Sequence, residues 1–167
     1  MGAQWKQAGR EANAQKKGQL VNKLVREIIQ SYPDWQPPRV DIQIEGTLPP
    51  VLGHEGFLTQ CVSNLLDNAI KFVAPGVQPR IRIWGESRDT QVRLNFQDNG
   101  IGIAAEHCAR IFRMFERIHP ATEYEGTGIG LTIVRKAIER MGGHVDFQSK
   151  LDRGSKFWLE LRGDETS

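Results

Sequence analysis

From Glu55 to Phe72 the apolar residues Leu58, Cys61, Val62, Leu65, Leu66, Ala69 and Phe72 recur every three or four positions, the spacing of a single apolar stripe along a long α-helix. Such a helix buries one side only, so it needs a second layer to lie against. The rest of the chain supplies that layer. Val40, Ile42 and Ile44 alternate as a half-buried strand, as do Ile81 with Ile83, and Val92, Leu94 and Phe96. Val145 to Ser149 and Lys156 to Arg162 read as a hairpin turned by Asp152-Arg153-Gly154. A helix on Leu20, Val21, Leu24, Val25, Ile28 and Ile29 is stopped by Ser31-Tyr32-Pro33, and another on Leu131, Val134, Ala137, Ile138 and Met141 is capped by Gly142-Gly143. Gly46 to Gly53, with Pro49-Pro50, reads as a connecting loop. Adjacent strands with helices inserted between them predict an α+β two-layer sandwich. Its sheet is mixed, mostly antiparallel and of about five strands, with three helices on one face.

Composition narrows the function. A chain of 167 residues fits one domain and buries enough surface to need neither disulfides nor a structural metal. Lys plus Arg is 22 against 20 Asp plus Glu, a net charge of +2 with the signs interspersed, which argues against nucleic acid as a partner. Cys61 and Cys108 form no CxxC pair, so neither a zinc site nor a disulfide framework is indicated and a reducing compartment fits. No window approaches 18 consecutive apolar residues and the first 18 residues hold no apolar signal core. The expectation is a cytoplasmic domain without membrane contact, whether its parent is soluble or membrane-bound. Residues 1–18 are polar and read as a tail or linker, either the end of a dimerisation helix or appended sequence. Residues 19–163 form the domain and 164–167 a short tail.

Three stretches could carry chemistry. On the long helix Asn64, Asn68 and Lys71 fall within about 60° of one another, beside the apolar stripe. Amide oxygens suit Mg²⁺ and an ammonium one turn away suits phosphate; the same trio also fits an ordinary solvated face. At the end of an apolar strand stands Asp98-Asn99-Gly100-Ile101-Gly102-Ile103. A buried carboxylate there accepts and does not donate, so it would choose the exocyclic amino group of adenine over a carbonyl, whereas Asp-Asn-Gly equally makes a hairpin turn. Gly126-Thr127-Gly128-Ile129-Gly130 opens the last helix, where free N–H groups and the positive dipole end attract phosphate; a hinge is the other reading. It has neither dinucleotide-fold nor P-loop spacing. Between these two glycine stretches lie 22 residues, Ala104 to Glu125, long enough for a lid. Ile111, Phe112, Phe115 and Ile118 could anchor it while Arg113 and Arg117 face phosphates, or the arginines could be paired on a surface helix.

These stretches, in this order, resemble the catalytic ATP-binding domain of bacterial sensor histidine kinases, within the GHKL superfamily that includes gyrase, chaperone and mismatch-repair ATPases. Asn64 to Phe72 looks like the asparagine box, Asp98 to Ile103 the first glycine box and Phe112 to Phe115 the phenylalanine box. Gly126 to Leu131 looks like the second glycine box and Gly154-Ser155-Lys156-Phe157 the last glycine motif. The resemblance covers about residues 20–162 and implies ATP and Mg²⁺ as cofactors, with an ATP lid. By carry-over Asn68 and Asn64 hold the metal, Lys71 and Arg117 meet phosphates, and Asp98 reads adenine. Gly128 and Gly130 let triphosphate and lid close. Phe72, Gly100, Gly102, Ile103, Phe115, Gly126, Thr127, Ile129, Leu131 and Ser155 complete the implied nucleotide site. The superfamily's hydrolases and serine kinases typically place a Glu base where this chain has Asn64, so the resemblance implies transfer to histidine. The implied partners are a histidine-bearing dimerisation domain outside this sequence and a response regulator receiver domain. His54, His107, His119 and His144 are expected to be structural or solvent-facing, and Trp84 and Trp158 to point outward from their strands.

Overall fold

The computed structural model describes residues 17–112 and 130–164. Ten α and β elements follow one another: β1 (Lys17–Gln19), α1 (Val21–Gln30), β2 (Asp41–Ile44), β3 (Val51–Gly53), α2 (Glu55–Lys71), β4 (Arg80–Arg88), β5 (Gln91–Asp98), α3 (Gly130–Arg140), β6 (His144–Ser149) and β7 (Ser155–Arg162). Five strands form one sheet in the order β2-β4-β5-β7-β6. Only β2 with β4 is parallel; the other pairs are antiparallel. Register places Ile83, Phe96, Phe157 and Phe147 opposite one another across four strands, so one face is continuously apolar. Leu58, Val62, Leu65 and Leu66 of α2, Val21, Val25 and Ile28 of α1, and Val134, Ala137 and Ile138 of α3 join that face in a single core. The expected α+β two-layer sandwich, five strands under three helices, is the architecture found.

Local chemistry sets the helix ends that matter for function. The His54 imidazole Nδ1 accepts the N–H of Phe57 at 3.3 Å and so caps α2, satisfying one of the otherwise unpaired first-turn donors. At the far end of α3, Gly142 takes φ 75°; its N–H donates to Glu139 O and that of Gly143 to Ile138 O, both at 2.9 Å. This is the Schellman closure that Gly142-Gly143 announces.

Three sequence expectations change. The stretch Gly46 to Gly53 is not wholly loop, because Val51–Gly53 pairs antiparallel with Lys17–Gln19 in a separate two-stranded sheet. Those three-residue strands are too short to display an alternation, and the first lies partly within the polar stretch read as tail. Asp98-Asn99-Gly100 does not turn a hairpin: the Asn99 amide bonds back to Arg80 N (2.8 Å) and Gln78 O (2.9 Å) beside the adjoining strand. Trp158 faces outward as expected, on the helix-free side of the sheet, but is buried rather than exposed, with Arg93 4.8 Å and Lys156 5.4 Å from its ring centroid. Trp84 is half-buried, with Arg82 5.5 Å over its ring. Cations with long apolar stems cover both indoles. No described helix is long and apolar enough to cross a membrane.

Candidate functional site

The C-terminal half of α2 is where the predicted residues converge. Asn64 donates through Nδ2 to Gln60 O at 2.7 Å, which turns its Oδ1 away from its own helix backbone. That oxygen faces Gly130, the first residue of α3: a Cβ built on Gly130 would lie 3.2 Å from Asn64 Oδ1 and 3.7 Å from both polar side-chain atoms of Asn68. A glycine therefore brings the first described turn of α3 against two amide side chains. Lys71 pairs with Asp67 at 2.9 Å across one turn. Such a partly exposed pair is worth at most about 1 kcal/mol, so phosphate can displace the aspartate.

The second centre begins where β5 ends. Asp98 Oδ1 accepts the N–H of Gly100 at 2.9 Å and that of Ser155 at 3.1 Å. Burial is the dominant influence on this carboxyl and pushes its pKa up to about 6, against the opposing pull of the two N–H donors. The following loop is pressed onto the end of α2, since Ile101 N–H donates to Phe72 O at 2.8 Å. A Cβ on Gly100 would overlap Phe72 O, and one on Gly102, which has φ 72°, would overlap Lys150 O. Asp152 N–H closes the other side by donating to Ile101 O at 2.7 Å. Ile103 N–H donates to Ser149 Oγ at 2.8 Å, and that oxygen lies 2.7 Å from Ser155 Oγ. Phe72 belongs to both centres, because its N–H caps α2 on Asn68 O at 3.1 Å.

Of the predicted site residues, Asn64, Asn68, Lys71, Phe72, Gly130 and Leu131 thus gather around the α2–α3 junction, and Asp98, Gly100, Gly102, Ile103 and Ser155 around the sheet end that abuts it. Phe115, Arg117, Gly126, Thr127, Gly128 and Ile129, with Arg113, lie outside the described residues. Sequence reasoning passed over Ser149, whose hydroxyl joins the two loops of the second centre, and Thr132, whose Oγ1 donates to Phe112 O at 2.8 Å. The Thr132 bond ties together the two described ends that flank residues 113–129. Phe112 itself stands edge-on to Phe147 and Phe157, with centroids 5.8 Å and 6.4 Å away. Among the histidines, His54 is the cap, His107 is half-buried, His144 is exposed, and His119 lies outside the described residues.

Among the described residues no cluster of three His, Cys, Asp or Glu could hold a metal. The donors that the structure does present are the amide groups of Asn64 and Asn68. Few, neutral, hard oxygens suit a Mg²⁺ that takes its remaining ligands from phosphate and water, so the set fits that ion.

A half-open α+β sandwich with a carboxylate at one end of its sheet, and an amide-bearing helix facing a glycine-opened helix beside it, defines a nucleotide-handling domain. Residues 53–165 match the family of histidine kinase-, DNA gyrase B- and HSP90-like ATPases, and the chain belongs to that family. Several of the relatives are named as sensor histidine kinases. The phytochrome-like protein Cph1 of Synechocystis sp. is 40% identical over 116 residues, 70% of this chain and 15% of that protein. Sensor histidine kinase AruS of Pseudomonas aeruginosa is 40% identical over 114 residues, 65% of this chain and 11% of that protein. The catalytic domain of histidine kinase ThkA superposes with a TM-score of 0.72 at 26% identity, over 88% of this chain and 95% of that one. Full-length ShkA in complex with AMPPNP superposes with a TM-score of 0.70 at 27% identity, over 89% of this chain and 31% of that one. The chain corresponds to the ATPase domain of sensor histidine kinases and spans less than a fifth of the two curated relatives named.

Proposed function

We propose that this chain binds Mg-ATP and donates its γ-phosphate to a histidine on the dimerisation domain of a parent sensor kinase, from which a response regulator receiver domain takes the phosphoryl group. The observation that carries the reading is the meeting of Asn64 and Asn68 with Gly130 at the start of α3, which brings hard oxygen donors against the positive end of a helix dipole. The two asparagines would hold Mg²⁺, which supplies charge neutralisation on the phosphates when bound. Lys71 exchanges its Asp67 partner for phosphate. Asp98, ionised, takes the adenine amino group on Oδ2, leaving Oδ1 to its two backbone donors. Arg117 is assigned to the phosphates on its place in the lid sequence. The body of the parent that carries this chain would lie on the cytoplasmic side.

Asn64 favours transfer over hydrolysis. An amide cannot take a proton from water, and a histidine acceptor needs little help in losing one, so positioning and charge neutralisation suffice. The test follows γ-labelled ATP with Mg²⁺, first with the whole chain alone and then with the parent's histidine-bearing helical hairpin added in trans. Acid-labile label on the hairpin, lost in Asn68→Ala, is the expected result. Nucleotide binding with label on neither protein would make the chain a regulatory ATP-binding module, and steady phosphate release by the chain alone would make it an ATPase.

A further inference from the structure

Ser149 and Ser155 stand opposite each other at the turn end of the β6–β7 hairpin, and their hydroxyls form the tightest side-chain pair in the base-side centre at 2.7 Å. Ser155 holds Asp98 through its own N–H. Among the described residues no hydrogen bond joins Ser149 to Asp98. Its oxygen has three polar neighbours: Ile103 N at 2.8 Å, Gly154 O at 3.1 Å and Ser155 Oγ at 2.7 Å. The first can only donate and the second can only accept. A hydroxyl carries one proton and two lone pairs, so a single arrangement satisfies all three. Ser149 receives the Ile103 N–H, gives its proton to Gly154 O, and takes the Ser155 proton on its remaining lone pair.

That arrangement fixes the character of Ser155. With its proton committed to Ser149, the Ser155 oxygen can offer only lone pairs to anything beside it. Ionised Asp98 likewise only accepts. We propose that Ser149 is a positioning residue that sets the polarity of the base pocket, holding Ser155 as an acceptor so that the pocket takes a purine with a 6-amino group and rejects one with a 6-carbonyl. The proposal rests on the nucleotide reading above and adds a residue to it. The two N–H bonds of a 6-amino group can serve both acceptors, whereas an oxo purine brings only its N1–H and leaves its own O6 and one acceptor without a donor; a site built around such a hydrogen-bond pattern discriminates by leaving partners unpaired. Without the Ser149 hydroxyl the Ser155 proton is free to turn toward a 6-carbonyl, and the pocket loses that component of its choice.

The test measures, by titration calorimetry on the whole chain with Mg²⁺, dissociation constants for ATP and for inosine triphosphate, its 6-oxo counterpart. Expected is a fall of about tenfold in the ratio of the inosine triphosphate constant to the ATP constant in Ser149→Ala, equivalent to ~1.4 kcal/mol. Ser149→Thr, which keeps the hydroxyl, should retain the wild-type ratio, and Ser149→Val, with the same outline as threonine and no hydroxyl, should lose it. A merely structural role weakens both nucleotides together and leaves the ratio unmoved, so an unchanged ratio in Ala and Val would overturn the proposal. An equal fall in Thr would overturn it too. If Ala unfolds, the shape-matched Thr and Val pair carries the comparison. Should that pair also unfold, Ser155→Ala is decisive, because deleting the locked hydroxyl should weaken ATP less than Asp98→Asn does and lower the ratio; a rise would overturn the proposal. Asp98→Asn separates the two readings: unchanged ATP affinity there would sink the base pocket itself, whereas weakened ATP with an intact ratio in the Ser149 variants would sink only the role of Ser149.

Discussion

Replacing Asp98 by Asn should strengthen the empty domain at neutral pH while weakening its hold on nucleotide. Burial lifts the Asp98 pKa from an ordinary 3.8 to about 6. Between those values the folded chain binds a proton that the unfolded chain has released, so this group's contribution to stability falls as pH rises through that window. Above pH 6 the ionised carboxylate costs the fold about 1.36 × 2.2, or roughly 3 kcal/mol, relative to a neutral group. Asn is such a group. Its Oδ1 can still accept the Gly100 and Ser155 N–H bonds at 2.9 Å and 3.1 Å, so Asp98→Asn should gain about 1 to 3 kcal/mol at pH 7. For a chain of this size that is a rise of roughly 3 to 10 °C in Tm. The gain should shrink as pH falls from 6, be mostly gone by pH 4, where the folded carboxyl is neutral, and vanish below about pH 3, where the unfolded one is neutral too. Thermal melts of nucleotide-free wild type and variant, run from pH 4 to pH 8, read this directly. Calorimetry with ATP should show the opposite sign, a loss of about 2 kcal/mol from deleting a charged acceptor. A variant less stable than wild type at pH 7, or a stability difference that ignores pH, would refute the reasoning.

Three further outcomes probe separate parts of the design. Asn68→Ala should remove the Mg²⁺ dependence of nucleotide binding while leaving the circular dichroism spectrum and Tm close to wild type, because the side chain lies beside the core; a retained metal requirement would place the ion elsewhere. Gly102→Ala forces a side chain into φ 72° and onto Lys150 O, so a loss of about 2 to 4 kcal/mol is expected in urea unfolding. Gly46→Ala, at φ 66° with nothing within 4 Å, should lose only about 1 kcal/mol. His54→Ala should cost about 1 kcal/mol by exposing the Phe57 N–H that Nδ1 accepts, and His54→Asn, a good capping residue, should recover most of it.

What was legible in the sequence, and what was not, divides by the range of the interaction that decides each element. The α2 stripe and the Gly142-Gly143 closure depend on residues within two turns, so spacing alone describes them. The three-residue strands Lys17–Gln19 and Val51–Gly53 find each other across 34 positions and carry no period of their own. Asp98-Asn99-Gly100 is the sharper case. Its letters favour a turn, and a turn would have left the carboxylate in water. Phe72 O, Arg80 N and Ser155 N, each distant in sequence, claim the loop instead and carry Asp98 into the boundary between α2 and the sheet. The glycines are then needed for the opposite of flexibility: Gly100 and Gly102 let backbone lie where any Cβ would collide. A carboxylate held there at a cost in stability makes little sense for the empty fold. It makes sense if the group is kept ionised and half-desolvated for a ligand that donates to it, which is why the stability and the affinity of Asp98→Asn are expected to move in opposite directions.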